Sequence, residues 1–515
     1  MGFLRFLPWP AQDRTTDVAA EVLVALAVRE RPPKNILARR NGRPGKATKL
    51  ADMTTHFDAI VVGTGQAGPA LAARLSGAGM KVAVIERDKF GGTCVNDGCT
   101  PTKTLVASAY AARMASRGSE YGFQISSNPH VDMKRVKSRK DQVVANASGS
   151  VEKWMRGLKG ATVIQGHARF LDSKTISVGR ERLEGERIFL DVGGRPLVPK
   201  MKGIDQVPYL TNQSLMDVDF VPEHLIVVGG SYIGLEFGQM YRRFGSRVTI
   251  VEMTPRLIAR EDEDVSQAVK EIFEAEGIEV RLNAQCLSVQ KESSGLSIGV
   301  DCKEGEPRVS GTHLLLAIGR VPNTDDLGLE RAGIAKDERG YIQVDEELRT
   351  SNPNVWALGD CNGKGAFTHT AYNDYEIVAD NLLSNAGRKW TDRVPVYALY
   401  TDPPLGRVGM SEAEIRKAGL RARVGKRPMT RVARAIEKGE TQGFLKIHVE
   451  ERADGTAGRI LGAALLGTGC DEAVQSLVDA TYARTPVAEF QRRVRIHPTV
   501  AELLPTTLES LKPLG

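Results

Sequence analysis

The chain has 515 residues, 41% of them hydrophobic and 26% charged, the balance of a globular protein with room for about two to four domains. Its formal net charge of +7 is concentrated in residues 1–52, where ten Lys or Arg face five Asp or Glu, and the rest is too close to neutral to call for a nucleic acid. The longest apolar run near the start, Val22–Val28, is too short to span a bilayer and has no small-residue cleavage site behind it, which excludes a membrane span and a secretory signal there.

Residues 1–52 read as a disordered basic extension, and the globular pattern begins at "MTTHFDAIVVGTG", with Met53 as an alternative start. The stretch "FDAIVVGTGQAGPALAARLSGAGMKVAVIERD" then predicts strand, glycine turn, amphipathic helix and strand. Gly63, Gly65 and Gly68 form G-x-G-x-x-G directly after the apolar run Ala59–Val62. Such a turn admits a pyrophosphate against a helix N-terminus. Glu86 follows Gly63 by 23 residues, where a carboxylate can accept bonds from ribose hydroxyls.

Next comes "GGTCVNDGCTPTK", with Cys94 and Cys99 five positions apart. A zinc site needs four ligands, and neither a second close cysteine pair nor an H-x₃₋₅-H spacing is present among the eight histidines, so no metal is expected. Six cysteines in so long a chain suit a reducing, cytoplasmic setting, where a close pair is catalytic or metal-binding more often than structural. A helix predicted to begin at this pair favours thiolate, the species that attacks disulfides and leaves from them.

The pattern of the first turn recurs in "HLIVVGGSYIGLEFGQMYRRFGSRVTIVEMT". Gly229 and Gly234 are its first and last glycines, Ser231 replaces the middle one, and Glu252 again follows by 23 residues. Two complete units predict two bound dinucleotides. At the second, Glu252 repels a 2′-phosphate and favours NADH over NADPH, although Arg256 and Arg260 lie close by in sequence. Near the C-terminus, "VRIHPTVAELLPT" pairs His497 with Glu502: a base for an exchange thiol and a carboxylate to orient it.

From these motifs the chain, over about residues 53–515, is similar to the flavoprotein disulfide reductases (class I pyridine nucleotide-disulfide oxidoreductases), whose members include glutathione reductase, dihydrolipoamide dehydrogenase and mercuric reductase. Later blocks resemble the family in the expected order: "LLLAIGRVPNT" with Gly319, "NVWALGDCNG" with Asp360, and "YTDPPLGRVGMSEAEIRKAG" opening a C-terminal domain. The resemblance implies an α/β fold of two Rossmann-like dinucleotide-binding domains, for FAD and for NAD(P), plus an α+β dimerisation domain. Its expected boundaries are 53–200 with 322–395 for FAD, 201–321 for NAD(P), and 396–515 for the interface.

The resemblance also implies roles. Cys99 is the sulfur next to the flavin and Cys94 the one that exchanges with substrate. Lys103 lies beside flavin N5 with Glu236 as its ion-pair partner, Asp360 bonds the ribityl chain, and Thr93 joins the cofactor contacts. Tyr232 takes the position of the aromatic gate to nicotinamide, with simple core packing as the other reading, and His369 reads as a structural or flavin-side contact. His497 serves the disulfide of the opposite subunit, which implies a homodimer.

The expected activity is electron transfer from NAD(P)H through FAD and the Cys94–Cys99 disulfide to a disulfide or thiol-reactive oxidant. The chain ends "ESLKPLG" with no cysteine after Cys470, unlike the terminal pair of mercuric reductases. Arg495 stands where dihydrolipoamide dehydrogenases have the first histidine of H-x-H-P. The chain resembles the mercuric-reductase-like and reactive-chlorine-resistance branches; lipoamide dehydrogenase, metal-ion reductase and flavin NADH oxidase or transhydrogenase are the alternatives.

Overall fold

The computed structural model describes residues 54–124, 130–301 and 305–515, so the basic extension expected over residues 1–52, with Met53, lies outside the described residues. Strand β1 (Thr54–Val62) buries Ala59, Ile60, Val61 and Val62 in succession. Ala59 and Val61 pack on one face with Leu71 and Leu75, while Ile60 and Val62 pack on the other with Ile176 and Ile188. A strand apolar on both faces belongs inside a parallel sheet covered on both sides. Accordingly β1 pairs in parallel with β2 (Val82–Glu86) and with Glu181–Leu190, at the centre of a seven-stranded sheet.

Helix α1 (Gly68–Gly77) connects β1 to β2, with Pro69 in its first turn, where a missing N–H costs nothing. The chain then forms the short α2 (Gly92–Asn96) and the longer α3 (Cys99–Ser116). A second parallel sheet repeats the plan, with β3 (His224–Val228) beside β4 (Arg247–Val251) and flanked by His313–Leu316 and Glu279–Arg281. Helix α4 (Tyr232–Phe244) connects β3 to β4 and ends at Gly245, whose φ of +119° turns the chain out of the helix.

After α5 (Thr368–Ser384) comes a six-stranded antiparallel sheet with β5 (Val396–Leu399) at one edge, β6 (Leu405–Gly409) next to it, and β7 (Phe444–Glu451) further in. Its core is separate, built from Val408, Leu445, Ile447, Leu465, Leu477 and Phe490 among others. The expected fold class is therefore the observed one. A buried ion cluster fastens α4 to the turn between β5 and β6. The Arg243 guanidinium lies 2.6 Å from Glu276 and 2.7 Å from Asp402, and Gln239 exchanges two hydrogen bonds with the Asp402 backbone. No helix among the described residues is long and apolar enough to cross a membrane.

Candidate active site

The turn after β1 closes so tightly that only glycine fits. Gly63 has φ +102°, and a Cβ there would lie 2.2 Å from the Asp191 carbonyl; one on Gly68 would lie 2.2 Å from the Gly63 carbonyl. This leaves a cradle at the α1 N-terminus, where Gly63 and Gly65 line a cavity of about 780 Å³, fit for a dinucleotide pyrophosphate. Glu86 lines the same cavity and braces the turn, accepting from the Thr64 N–H (2.9 Å), the Thr64 hydroxyl (2.6 Å) and the Asp88 N–H.

Asp191 lies beneath this turn and accepts the Gly68 N–H at 2.8 Å. Burial, with like charges from Asp360 and Glu86, pushes its carboxyl up to about 8. A carboxyl higher in the fold than in the unfolded chain stabilises the protein below the unfolded value. That contribution is lost as pH climbs from about 4 to about 8. Asp191→Asn holoprotein is therefore expected to melt close to wild type near pH 4.5 and about 3–5 °C above it at pH 8.5. A pH-independent melting difference, measured by calorimetry, would rule out a protonated Asp191.

The two cysteines meet where α2 hands over to α3. Cys94 is the third residue of α2 and Cys99 the first of α3. Both are free thiols hydrogen-bonded to each other, and both line the cavity. The Thr368 hydroxyl, at the start of α5, donates to Cys94 Sγ at 3.0 Å and lies 3.4 Å from Cys99 Sγ. The Cys99 thiol is pulled down to about 6, first by the bond from Cys94 and then, against burial, by Thr368 and the Lys103 charge. Cys94 is driven far above the thiol range by its bond to Cys99 and by burial. The two thiols titrate together as a pair, and the bond from Cys94 with the nearby Lys103 charge favours thiolate at Cys99.

Lys103 extends from α3 to Glu236 on α4, with Nζ 2.8 and 3.0 Å from the two carboxylate oxygens. The Tyr400 N–H also donates to Glu236, and the Tyr400 ring lies 4.6 Å from the Lys103 ammonium. Asp360 enters the cavity from the turn Gly359–Asn362. Burial raises its carboxyl, opposed by Arg320, whose Nε is 3.7 Å away. Arg320 follows Gly319, which has φ +129°, and reaches Thr93 Oγ1 at 3.4 Å. His369 also lines the cavity, its ring stacked on Phe367 and its Nε2 2.7 Å from the Val396 carbonyl oxygen.

The second turn copies the first. Gly229 has φ +112°, a Cβ on it would lie 2.4 Å from the Ala317 carbonyl, and one on Gly234 would lie 1.9 Å from the Gly229 carbonyl. Ala317 thus takes the place that Asp191 has below the first turn. A Cβ on Gly65 would lie 2.8 Å from the Asp191 carboxylate, whereas Ser231 faces no carboxylate at Ala317 and has extended backbone, which explains why serine is tolerated. Glu252 accepts from the Gly230 N–H at 2.6 Å and the Thr254 N–H at 2.8 Å. Arg256 is tied to the Ala259 carbonyl. Tyr232, the first residue of α4, lines the cavity that holds Lys103 and Cys99.

His497 and Glu502 form a pair, with Nδ1 2.9 Å from the carboxylate, but they do not line this chain's cavity; the imidazole is 74% exposed. Arg495 folds back against Phe490, its Nε and Nη2 buried without acceptors. Asp262, Glu412 and His448 bring ligand atoms within 4.8 Å of one another. Lys446 already bonds the first two at 2.8 and 3.0 Å, so an ammonium fills the space a metal ion needs. Sequence reasoning missed Thr368 and Asp191. The only signal for Thr368 was its place beside His369 in a block already singled out.

The described geometry has close counterparts. Residues 57–374 match the pyridine nucleotide-disulphide oxidoreductase family, and residues 396–508 match its dimerisation domain. A mercuric reductase of Streptomyces lividans is 33% identical over 455 residues, covering 87% of this chain and 95% of the relative. The probable pyridine nucleotide-disulfide oxidoreductase RclA of Escherichia coli is 34% identical over 456 residues, covering 87% and 98%. A dihydrolipoyl dehydrogenase of Thermus scotoductus is 32% identical, covering 88% and 97%. Among solved structures, the HOCl-induced flavoprotein disulfide reductase RclA from Escherichia coli superposes with a TM-score of 0.79 at 33% identity, covering 87% of this chain and 98% of that one.

Proposed function

Since the chain belongs to the pyridine nucleotide-disulphide oxidoreductase family, we propose that it is an FAD-dependent NAD(P)H:disulfide oxidoreductase working through Cys94 and Cys99 on a disulfide or thiol-reactive oxidant. Members of this family are oxidoreductases acting on sulfur groups that bind FAD and a pyridine nucleotide, and the dimerisation domain makes the working unit a homodimer. The observation that carries the reading is the thiol pair in one cavity with the Lys103–Glu236 ion pair and the first glycine turn.

The residues fit FAD: the cradle at Gly63–Gly68 suits its diphosphate, and half-buried Asp360, which lines the same cavity, suits its ribityl hydroxyls. When bound, FAD supplies a two-electron relay between nicotinamide and disulfide. Glu252 holds the ribose of the second nucleotide, and its charge favours NADH over NADPH. Lys103, fixed by Glu236, sets a positive charge beside the ring. Cys94 attacks the substrate disulfide and releases one product thiolate, and the Cys99 thiolate then attacks Cys94 Sγ, closing the internal disulfide and expelling the second product thiolate. His497 of the partner subunit, oriented by Glu502, moves the proton to the departing sulfur.

The test is a steady-state panel on the FAD-loaded dimer with NADH and NADPH: glutathione disulfide, small aromatic disulfides, lipoamide, Hg(II), Cu(II) and oxidised chlorine or thiocyanate species. A disulfide or thiol oxidant is expected to turn over, faster with NADH. Lipoamide as the best substrate would assign a dihydrolipoyl dehydrogenase. Turnover confined to oxygen or a second nucleotide would sink the disulfide reading.

A further inference from the structure

Tyr232 is held by a hydrogen bond to a carboxylate outside the cofactor motifs. Its hydroxyl donates to Glu261 Oε1 at 3.2 Å, and the Tyr397 hydroxyl on β5 donates to the same oxygen at 2.6 Å. The two rings meet edge-on, 5.7 Å apart. Phe367 stacks on Tyr397 and presents its edge to Tyr232.

Glu261 cannot follow Tyr232 if that ring moves. Its side chain is 0% exposed, and its other oxygen, which accepts no hydrogen bond, faces the Arg407 guanidinium on β6 at 3.8 Å. Arg407 is itself buried and lies 3.5 Å from Asp262, which Lys446 on β7 holds at 2.8 Å. The carboxylate, although part of the nucleotide domain, is thus pinned to the C-terminal sheet, whereas the Tyr232 ring is tied to it by one hydrogen bond. Burial and the Glu261 charge keep both phenols protonated, as donors.

The two donors are unequal. The shorter bond, from Tyr397, stays when Tyr232 leaves, so the buried oxygen keeps a partner throughout. Without Tyr397, releasing Tyr232 would strand that oxygen, a loss much larger than one exchanged hydrogen bond.

We propose that Glu261 is the catch that holds Tyr232 closed, and that Tyr397 is the positioning residue that lets the catch release. The inference rests on the reading of Tyr232 as the nicotinamide gate. A gate that is mostly shut lowers apparent nucleotide affinity by the fraction of molecules that stand open. Removing the Tyr232 hydroxyl opens the gate, whereas removing the Tyr397 hydroxyl makes opening harder. Two deletions of the same atom from the same acceptor therefore act in opposite directions.

The experiment is calorimetric binding of NAD⁺ and NADP⁺ to the FAD-loaded dimer, read with the nucleotide that binds wild type more tightly. Tyr232→Phe is expected to tighten binding by about tenfold, the worth of one hydrogen bond to a charged group. Tyr397→Phe is expected to weaken it at least about threefold. Glu261→Gln should tighten it, and adding Tyr232→Phe to that variant should change little more, because the two act on one bond. If Glu261→Gln does not fold, the opposed signs of the tyrosine variants decide alone. Shifts of the same sign, or neither beyond about twofold, overturn the catch. Tyr232→Ala separates the failures: a changed affinity there keeps the gate without its catch, and an unchanged one removes the gate as well.

Discussion

Cys94→Ala is expected to abolish reduction of the substrate disulfide, by on the order of 10⁴-fold or more, while the protein still binds FAD and stays yellow. The reason lies in the division of labour between the sulfurs. Cys99 lines the cavity with a thiol pulled down to about 6, which favours thiolate there, and the proposed mechanism gives the exchange with substrate to Cys94. The spectrum offers a second readout. The bond from Cys94 is the first cause of the low Cys99 value, with Thr368 and Lys103 adding less. In Cys94→Ala the Cys99 thiolate should consequently form only at higher pH, and its long-wavelength absorbance against FAD should titrate with a midpoint above 6. A variant that keeps full turnover with the physiological acceptor would instead favour the oxidase or transhydrogenase alternative.

His497→Ala should slow the thiol exchange by about 10²–10⁴-fold, the usual worth of a placed general acid–base group, with flavin reduction by NADH unaffected. Rapid mixing separates the two half-reactions. The stronger test uses the symmetry of the dimer. His497 is 74% exposed on its own chain, and in the proposed mechanism the imidazole that serves one disulfide comes from the other subunit. Cys94→Ala and His497→Ala subunits, each inactive, should regain roughly a quarter of wild-type activity once exchanged at equal amounts, because half the dimers then hold one intact site. No recovery in mixtures whose exchange is confirmed by mass spectrometry would place the base elsewhere.

The parts of this site that were legible in the sequence are those whose chemistry is local. The glycine turns announce themselves because turn, helix start and acidic residue fall within one strand–helix–strand unit, as Gly63 and Glu86 do. Cys94, Cys99 and Lys103 lie within ten residues, and His497 lies five from Glu502. The unread parts are contacts between remote segments. Thr368 meets Cys94 across 274 positions, Asp191 meets Gly68 across 123, and Tyr397 meets Glu261 across 136. Threonine, aspartate and tyrosine are common residues with no spacing to betray them. Pairing of Glu181–Leu190 with β1 brings Asp191 under the first turn, and only the packing of α5 and β5 against the nucleotide domains brings Thr368 to the thiols and Tyr397 to Glu261.

The Arg243 cluster bears on how the enzyme lets its reductant in. A guanidinium sunk between Glu276 and Asp402 rivets the nucleotide module to the antiparallel sheet, and pulling it apart would leave charges stranded away from water. Hinged, clam-like opening is thereby suppressed, which suits the proposed gate, the swing of one ring on a rigid frame. Turnover by that route would leave the nucleotide module and the sheet it is riveted to standing still.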